Sequence, residues 1–142
     1  MNHDLRLLLF YRLPAWIWGI AMFIGTSIPG DYLPSIIVLT PDKLLHSGAF
    51  FGLTILVYRA LNIDNNGLSL RRRFFATTLY ITLGYGVFDE LHQHFIPGRQ
   101  PDVFDFLADA VGVGLAIIVV TMYLKFSGRK RKRIESQETV LP

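Results

Sequence analysis

The sequence predicts an all-α integral membrane bundle of four transmembrane helices with both termini cytoplasmic. Three observations carry that expectation. The first is composition: 51% of the 142 residues are hydrophobic and only 18% are charged, with a mean hydropathy of +0.38. A soluble domain usually carries about 25% charged residues. The second is a set of four uncharged stretches, Leu13 to Gly30 with 18 residues, then Leu44 to Tyr58, Phe74 to Phe88 and Ala110 to Leu124 with 15 each, His46 set aside. Four such segments would leave a soluble domain almost no polar face, whereas a spanning helix needs roughly 20 apolar residues. The third is charge placement. Twelve of the fourteen Lys and Arg fall in the N-terminal segment, the second connection and the C-terminal end, and only Lys43 and Arg99 fall on the opposite side. The positive-inside rule puts the basic side in the cytoplasm.

The elements follow in order. Residues 1–12 form a short cytoplasmic segment, residues 13–126 the membrane domain, and residues 127–142 a basic tail expected to be disordered. Arg6 and Arg12 ahead of an apolar run resemble a signal peptide, with Gly25-Thr26-Ser27 as a small-x-small triplet. The three further spans and the charge alternation favour retention as a first helix. Pro14 suits its first turn and Pro29-Gly30 its end. Between Pro29 and Pro41, the run Ser35-Ile36-Ile37-Val38-Leu39 is too apolar for a solvated loop and is expected in the interface or folded over the bundle. Asn62 to Leu70 reads as a polar cytoplasmic turn. Small residues four apart, Ala15/Gly19, Ala21/Gly25, Ala108/Gly112 and Ala110/Gly114, suit close helix packing, and Gly84 and Gly86 add a weaker signal.

The absence of cysteine excludes disulfides, thiol catalysis, iron–sulfur clusters and Cys-ligated zinc. A pI near 9.4 suggests nucleic acid, but the basic run Arg129 to Arg133 lies at one helix end, where it serves topology and anionic lipid contact. No nucleic-acid partner is expected.

The chemistry is concentrated at the outer helix ends. Asp42 and His46 are four apart, as are Asp89 and Gln93, and Glu90 and His94; Pro97-Gly98 then breaks the third helix. Asp102, Asp105 and Asp109 share one face of the fourth helix. Fifteen uncharged residues span about 22 Å, short of the ~30 Å hydrocarbon core. Arg59, Arg73 and Lys125 snorkel at the inner ends, so the shortfall falls on the outer half. His46, Asp89 and Asp109 are therefore expected partly within the bilayer and facing the bundle interior. Ionisable groups there cost roughly 2.5–3.5 kcal/mol each and mark functional cavities. Seven acids against two bases leave the outer side strongly negative. Arg99, whose fork can bridge two carboxylates, is expected to pair with several of them or to bind an anion.

The Asp42-Lys43-x-x-His46 element, Asp89-Glu90-x-x-Gln93-x-Phe95-x-Pro97-Gly98-Arg99, and Asp102, Asp105 and Gly112 resemble the VanZ-like family of small bacterial membrane proteins. The resemblance runs from about Trp16 to Leu124. It implies a multi-pass protein of the bacterial cytoplasmic (inner) membrane, associated with resistance to the glycopeptide teicoplanin, and it supplies no reaction. Many members carry Asn at position 109, where this chain has Asp.

Two function classes stay open. In the first, an enzyme acts on an envelope lipid or cell-wall precursor, with Asp89, Glu90, His46 and Asp105 as general acid and base, although no familiar hydrolase or phosphatase nucleophile motif is present. Arg99, Lys43, Asp42, His92, Gln93, Asp102 and Asp109 would hold the ligand. No cofactor is required, and the Asp, Glu and His set is compatible with a divalent metal. In the second, a non-catalytic scaffold or lipid- or peptide-binding module uses the same polar network structurally.

Overall fold

The computed structural model describes residues 2–32, 42–62 and 68–138, and all their long elements are helical. Helix α1 is His3–Thr26, α2 Asp42–Leu61, α3 Leu68–Gln93 and α4 Val103–Glu138. Three of them, α1, α2 and the Val103–Gly128 part of α4, are long and apolar enough to cross a membrane. Helix α3 is long enough, at 26 residues, but Arg71 to Arg73 and Asp89-Glu90 occupy its two ends. The apolar run expected in the first outer connection, Ser35 to Leu39, lies outside the described residues, as do residues 63–67 of the polar turn.

Helix α1 contains one π-helical turn, Leu8–Arg12, directly before Pro14 in the first turn of its α-helical remainder. Proline donates no backbone hydrogen bond and crowds the carbonyl four residues back, so the preceding turn widens. None of the residues of α1 is buried. Midway along it, two polar contacts tie it to the bundle: Trp18 Nε1 donates to the Ala49 carbonyl at 3.0 Å, and Tyr85 Oη donates to the Gly19 carbonyl at 2.7 Å. The Trp18 indole lies against Gly52, where an added Cβ would meet the ring at 3.0 Å.

Helices α2 and α4 form the tightest pair. Buried positions on α2 are His46, Phe50, Leu53, Thr54, Val57 and Tyr58, one helical face. Those on α4 are Asp105, Asp109, Val113, Ala116 and Val120, again one face. Phe50, Leu53, Val57 and Val113 make the apolar core. Gly112 touches the α2 backbone so closely that a Cβ would collide with the Ser47 carbonyl. Among the small-residue pairs, only Ala108/Gly112 makes this kind of approach: Gly19, Gly25 and Gly114 have nothing within 4 Å of a Cβ position. A shared spacing is compatible with packing, but the helix rotation decides which face meets a neighbour.

Beside that apolar core the bundle buries several polar groups and exposes many apolar ones. Leu115, Ile118, Val119 and Met122 face outward while Asp89, Asp105, Asp109 and Gln93 are buried. That inversion suits a lipid solvent. Past Phe126 the structure departs from the disordered tail expected, because α4 continues to Glu138. Lys, Arg, Glu and Gln are good helix formers.

Candidate functional site

At one end of the bundle the four helices meet at two adjoining polar clusters. The first lies where the end of α1 abuts α3. Asp89 is 1% exposed; its Oδ1 accepts from Thr26 Oγ1 at 2.8 Å and its Oδ2 from Gln93 Nε2 at 3.1 Å. Both carboxylate oxygens are therefore partnered. One turn away, His92 Nε2 lies 2.8 Å from Ser27 Oγ, and the imidazole stacks on Phe23 and Phe88.

Arg99 completes this side in a way that corrects the sequence expectation. Among the described residues it makes no ion pair with the acids. Its Nε and Nη2 donate to the Ile28 and Gly25 carbonyls at 3.3 and 3.5 Å. The last carbonyls of a helix have no intrahelical partner, and a cation placed there satisfies them and complements the dipole. Its position is fixed by the turn before it. Gly98 has a φ of +73°, the left-handed conformation that glycine adopts without strain. The Gly30 amide donates to the Pro97 carbonyl at 3.1 Å, and a Cβ on Gly30 would collide with Gly98. The connection after α3 is thereby clamped onto the end of α1.

The second cluster lies between α2, α3 and α4. His46 is buried, with Nδ1 3.0 Å from Asp109 Oδ1 and Nε2 3.9 Å from Asp42 Oδ1. Asp109 is 0% exposed, and its Oδ2 has no hydrogen-bond partner. Glu90 Oε2 accepts from the Asp102 amide at 3.0 Å, while its buried Oε1 also lacks a partner. Lys43, in the first turn of α2, bridges Asp102 Oδ2 at 2.7 Å and Asp105 Oδ1 at 2.5 Å. It takes the two-carboxylate role expected of Arg99. Asp102 also caps α4, its Oδ1 accepting from the Phe104 amide at 2.9 Å. The Lys43 ammonium beside it, helped by that amide, holds the Asp102 carboxyl below the usual carboxylate range.

An open cleft of about 570 Å³ adjoins this cluster between α3 and α4, lined by Val87, Glu90, Leu91, His94, Val103 and Phe106 among others. Glu90 thus borders both the cleft and the buried cluster. Two groups of three donors lie close enough to hold a cation, Asp42 with His46 and Asp105, and His46 with Glu90 and Asp109. The arrangement offers proton transfer between His46 and its flanking carboxylates, cation binding, and contact with a polar group entering the cleft.

The structure brings together Asp42, Lys43, His46, Glu90, Asp102, Asp105 and Asp109. It sets Asp89, His92, Gln93 and Arg99 in the neighbouring cluster, and His94 is exposed. Thr26, Ser27, Trp18 and Tyr85 carry polar contacts that the sequence did not single out. Thr26 and Ser27 read as part of a small-residue triplet, and nothing local marks a hydroxyl as the partner of a residue 63 positions away.

The sequence profile of the VanZ/LLP1 family matches residues 12–124. The chain is also similar to the uncharacterized protein C11E3.10 of Schizosaccharomyces pombe, with 32% identity over 121 residues, covering 83% of this chain and 70% of that protein. No solved structure matches it.

Proposed function

This chain belongs to the VanZ/LLP1 family, and we propose that it is a four-span protein of the bacterial cytoplasmic membrane that acts by acid–base chemistry on the polar head of a membrane lipid. The observation that carries this reading is the double position of Glu90. One carboxylate oxygen is fixed by the Asp102 amide, the other is buried without a partner, and the residue lines a cleft whose remaining walls are largely apolar. An amphiphile matches that lining: its apolar part meets Val87, Leu91, Val103 and Phe106, and its head meets Glu90. Behind Glu90, His46 and Asp109 form a hydrogen-bonded pair able to take up or return a proton.

A membrane lipid fits the family match better than a cell-wall precursor, because a relative in a yeast extends the match to a cell without peptidoglycan. Altered teicoplanin susceptibility is then a consequence of changed lipids. The membrane orientation in this reading, both termini cytoplasmic and Gly98 outside, is supported by the placement of twelve of fourteen basic residues. Labelling of single cysteines introduced at positions 65 and 98 of the cysteine-free chain tests it. A cysteine at position 98 that is reached only after the cytoplasmic membrane is permeabilised overturns it. The chemical reading is tested by comparing the lipids of cells with and without the protein. One lipid class should accumulate in its absence and be cleared by the wild-type chain but not by Glu90→Gln. Equal clearing by both rejects Glu90 as the acting group. A non-catalytic module is the second reading, favoured by the fully satisfied Asp89 cluster, whose geometry serves packing; an unchanged lipid profile with intact insertion selects it.

A further inference from the structure

We propose that His46, Glu90 and Asp109 form a binding site for one divalent transition-metal ion, of the class of Zn²⁺ or Mn²⁺. The inference stands on the geometry of these three residues; it shares the unpartnered Glu90 oxygen with the lipid reading, but it is tested on the protein without any lipid substrate. Each residue offers a donor atom, and the three lie within 4.8 Å of one another. Bonds of about 2.0–2.2 Å to one ion require donor separations of roughly 3–3.5 Å, so small side-chain rotations close the set.

Three observations point to a cation rather than to packing alone. Two oxygens of the set, Asp109 Oδ2 and Glu90 Oε1, are buried without a hydrogen-bond donor, and such a group costs about 1–3 kcal/mol unless something occupies its lone pairs. The opposite oxygen of Glu90, Oε2, is already fixed by the Asp102 amide, which lies outside the set. That is how outer contacts orient metal-binding carboxylates. Gly86 also keeps the space beside Asp109 Oδ2 open, for a Cβ there would stand 3.2 Å from that oxygen.

The rival group, Asp42, His46 and Asp105, is weaker. Lys43 already occupies Asp105 Oδ1 at 2.5 Å, and Asp42 is exposed. One imidazole with two carboxylates favours a borderline ion over Mg²⁺ or Ca²⁺, which prefer all-oxygen shells. Three protein donors leave further coordination positions open, and Glu90 sets them next to the cleft.

The test uses the full chain in detergent micelles, stripped with chelator and then exposed to Zn²⁺ or Mn²⁺ alone. After desalting, elemental analysis should find one ion per wild-type chain, and the melting temperature should rise with added ion. Glu90→Gln and Asp109→Asn should weaken binding by more than the ~10–100-fold typical of a residue that only orients a ligand. Both should keep wild-type helicity by circular dichroism. Asp42→Asn should bind as the wild type does. Gly86→Ala, which leaves every donor in place, should weaken binding by crowding Asp109 Oδ2. A wild-type chain that retains neither ion, with an unmoved melting temperature, overturns the site and assigns the two oxygens to a shared proton or a buried water. Loss of the ion in Asp42→Asn with retention in Glu90→Gln overturns it in favour of the rival group. Metal bound as proposed with an unchanged lipid profile would reject the lipid reading alone.

Discussion

Asp89 and Asp109 are both fully buried acids on facing helices at the same end of the bundle, yet their surroundings differ. Asp89 has a donor on each oxygen, Thr26 from α1 and Gln93 from its own helix. Asp109 pairs with His46 through one oxygen and leaves the other bare. A buried polar group with all its partners is a structural element, since removing it orphans the donors around it. A buried group left half-satisfied raises the free energy of the fold and persists where something else uses it. The Asp89 side therefore reads as the joint that fixes α1, and the Asp109 side as the place where chemistry or binding occurs.

The largest expected effect is on the Asp89 side. Asp89→Ala orphans the buried Gln93 amide, frees Thr26 and leaves a cavity, and should destabilise the chelator-treated protein by about 3 kcal/mol. Thr26→Val, which removes one 2.8 Å bond from the same acid, should cost about 1.5 kcal/mol. Denaturation in mixed micelles, followed by circular dichroism, measures both. Equal costs for Asp89→Ala and Asp109→Ala would erase the distinction between the two clusters.

The opposite sign is expected across the divide. In metal-free protein, Asp109→Asn keeps an amide oxygen to accept from the His46 imidazole and removes a buried carboxylate with one bare oxygen, and should stabilise by about 1 kcal/mol. The same micelle denaturation, run beside Asp89→Asn, makes the contrast quantitative, because Asp89 already has both its donors and has nothing to gain. Destabilisation by Asp109→Asn in the metal-free state would show that the bare oxygen has a partner in solution.

The smallest effect concerns the exposed rim. The folded carboxyl of Asp102 sits below the ordinary Asp value of 3.8 through its hydrogen bond from Lys43. A depressed folded value means that its contribution is fully present above 3.8 and is lost as pH falls through the lower folded value. Solvent screens this pair, so the loss is slight. The stability of wild type and Asp102→Asn should differ at pH 6 and converge as pH falls below the ordinary carboxylate range. No difference at pH 6 would assign Asp102 only its capping bond to the Phe104 amide, a bond that Asn accepts equally well.

Much of this was readable without a structure. Helical periodicity places Asp42 with His46, Asp89 with Gln93, and Asp105 with Asp109, and alternation of apolar runs brings all three pairs to one end. The Pro97-Gly98 break and the close packing at Gly112 were legible for the same reason: each depends on local backbone geometry and residue size. Helical continuation through the basic run was not, because charge composition alone does not separate a solvated tail from the end of a long helix.

The helical class, the apolar segments and the gathering of acids at one end thus follow from the chain alone, since they depend on interactions within a few residues. Pairing was decided only in three dimensions. Arg99 was the expected bridge between the acids because of its fork, with Lys43 as the other cation at the same end. The turn at Gly98 carries Arg99 to the Gly25 carbonyl at the end of α1 and the Ile28 carbonyl just past it, and the close packing of α2 on α4 brings Lys43 between Asp102 and Asp105. The same rotation of helices gave Asp89 two donors and Asp109 one partner. Hydrogen bonds act over about 3 Å, so which groups meet depends on helix rotations and depths that only the packing of the whole bundle sets.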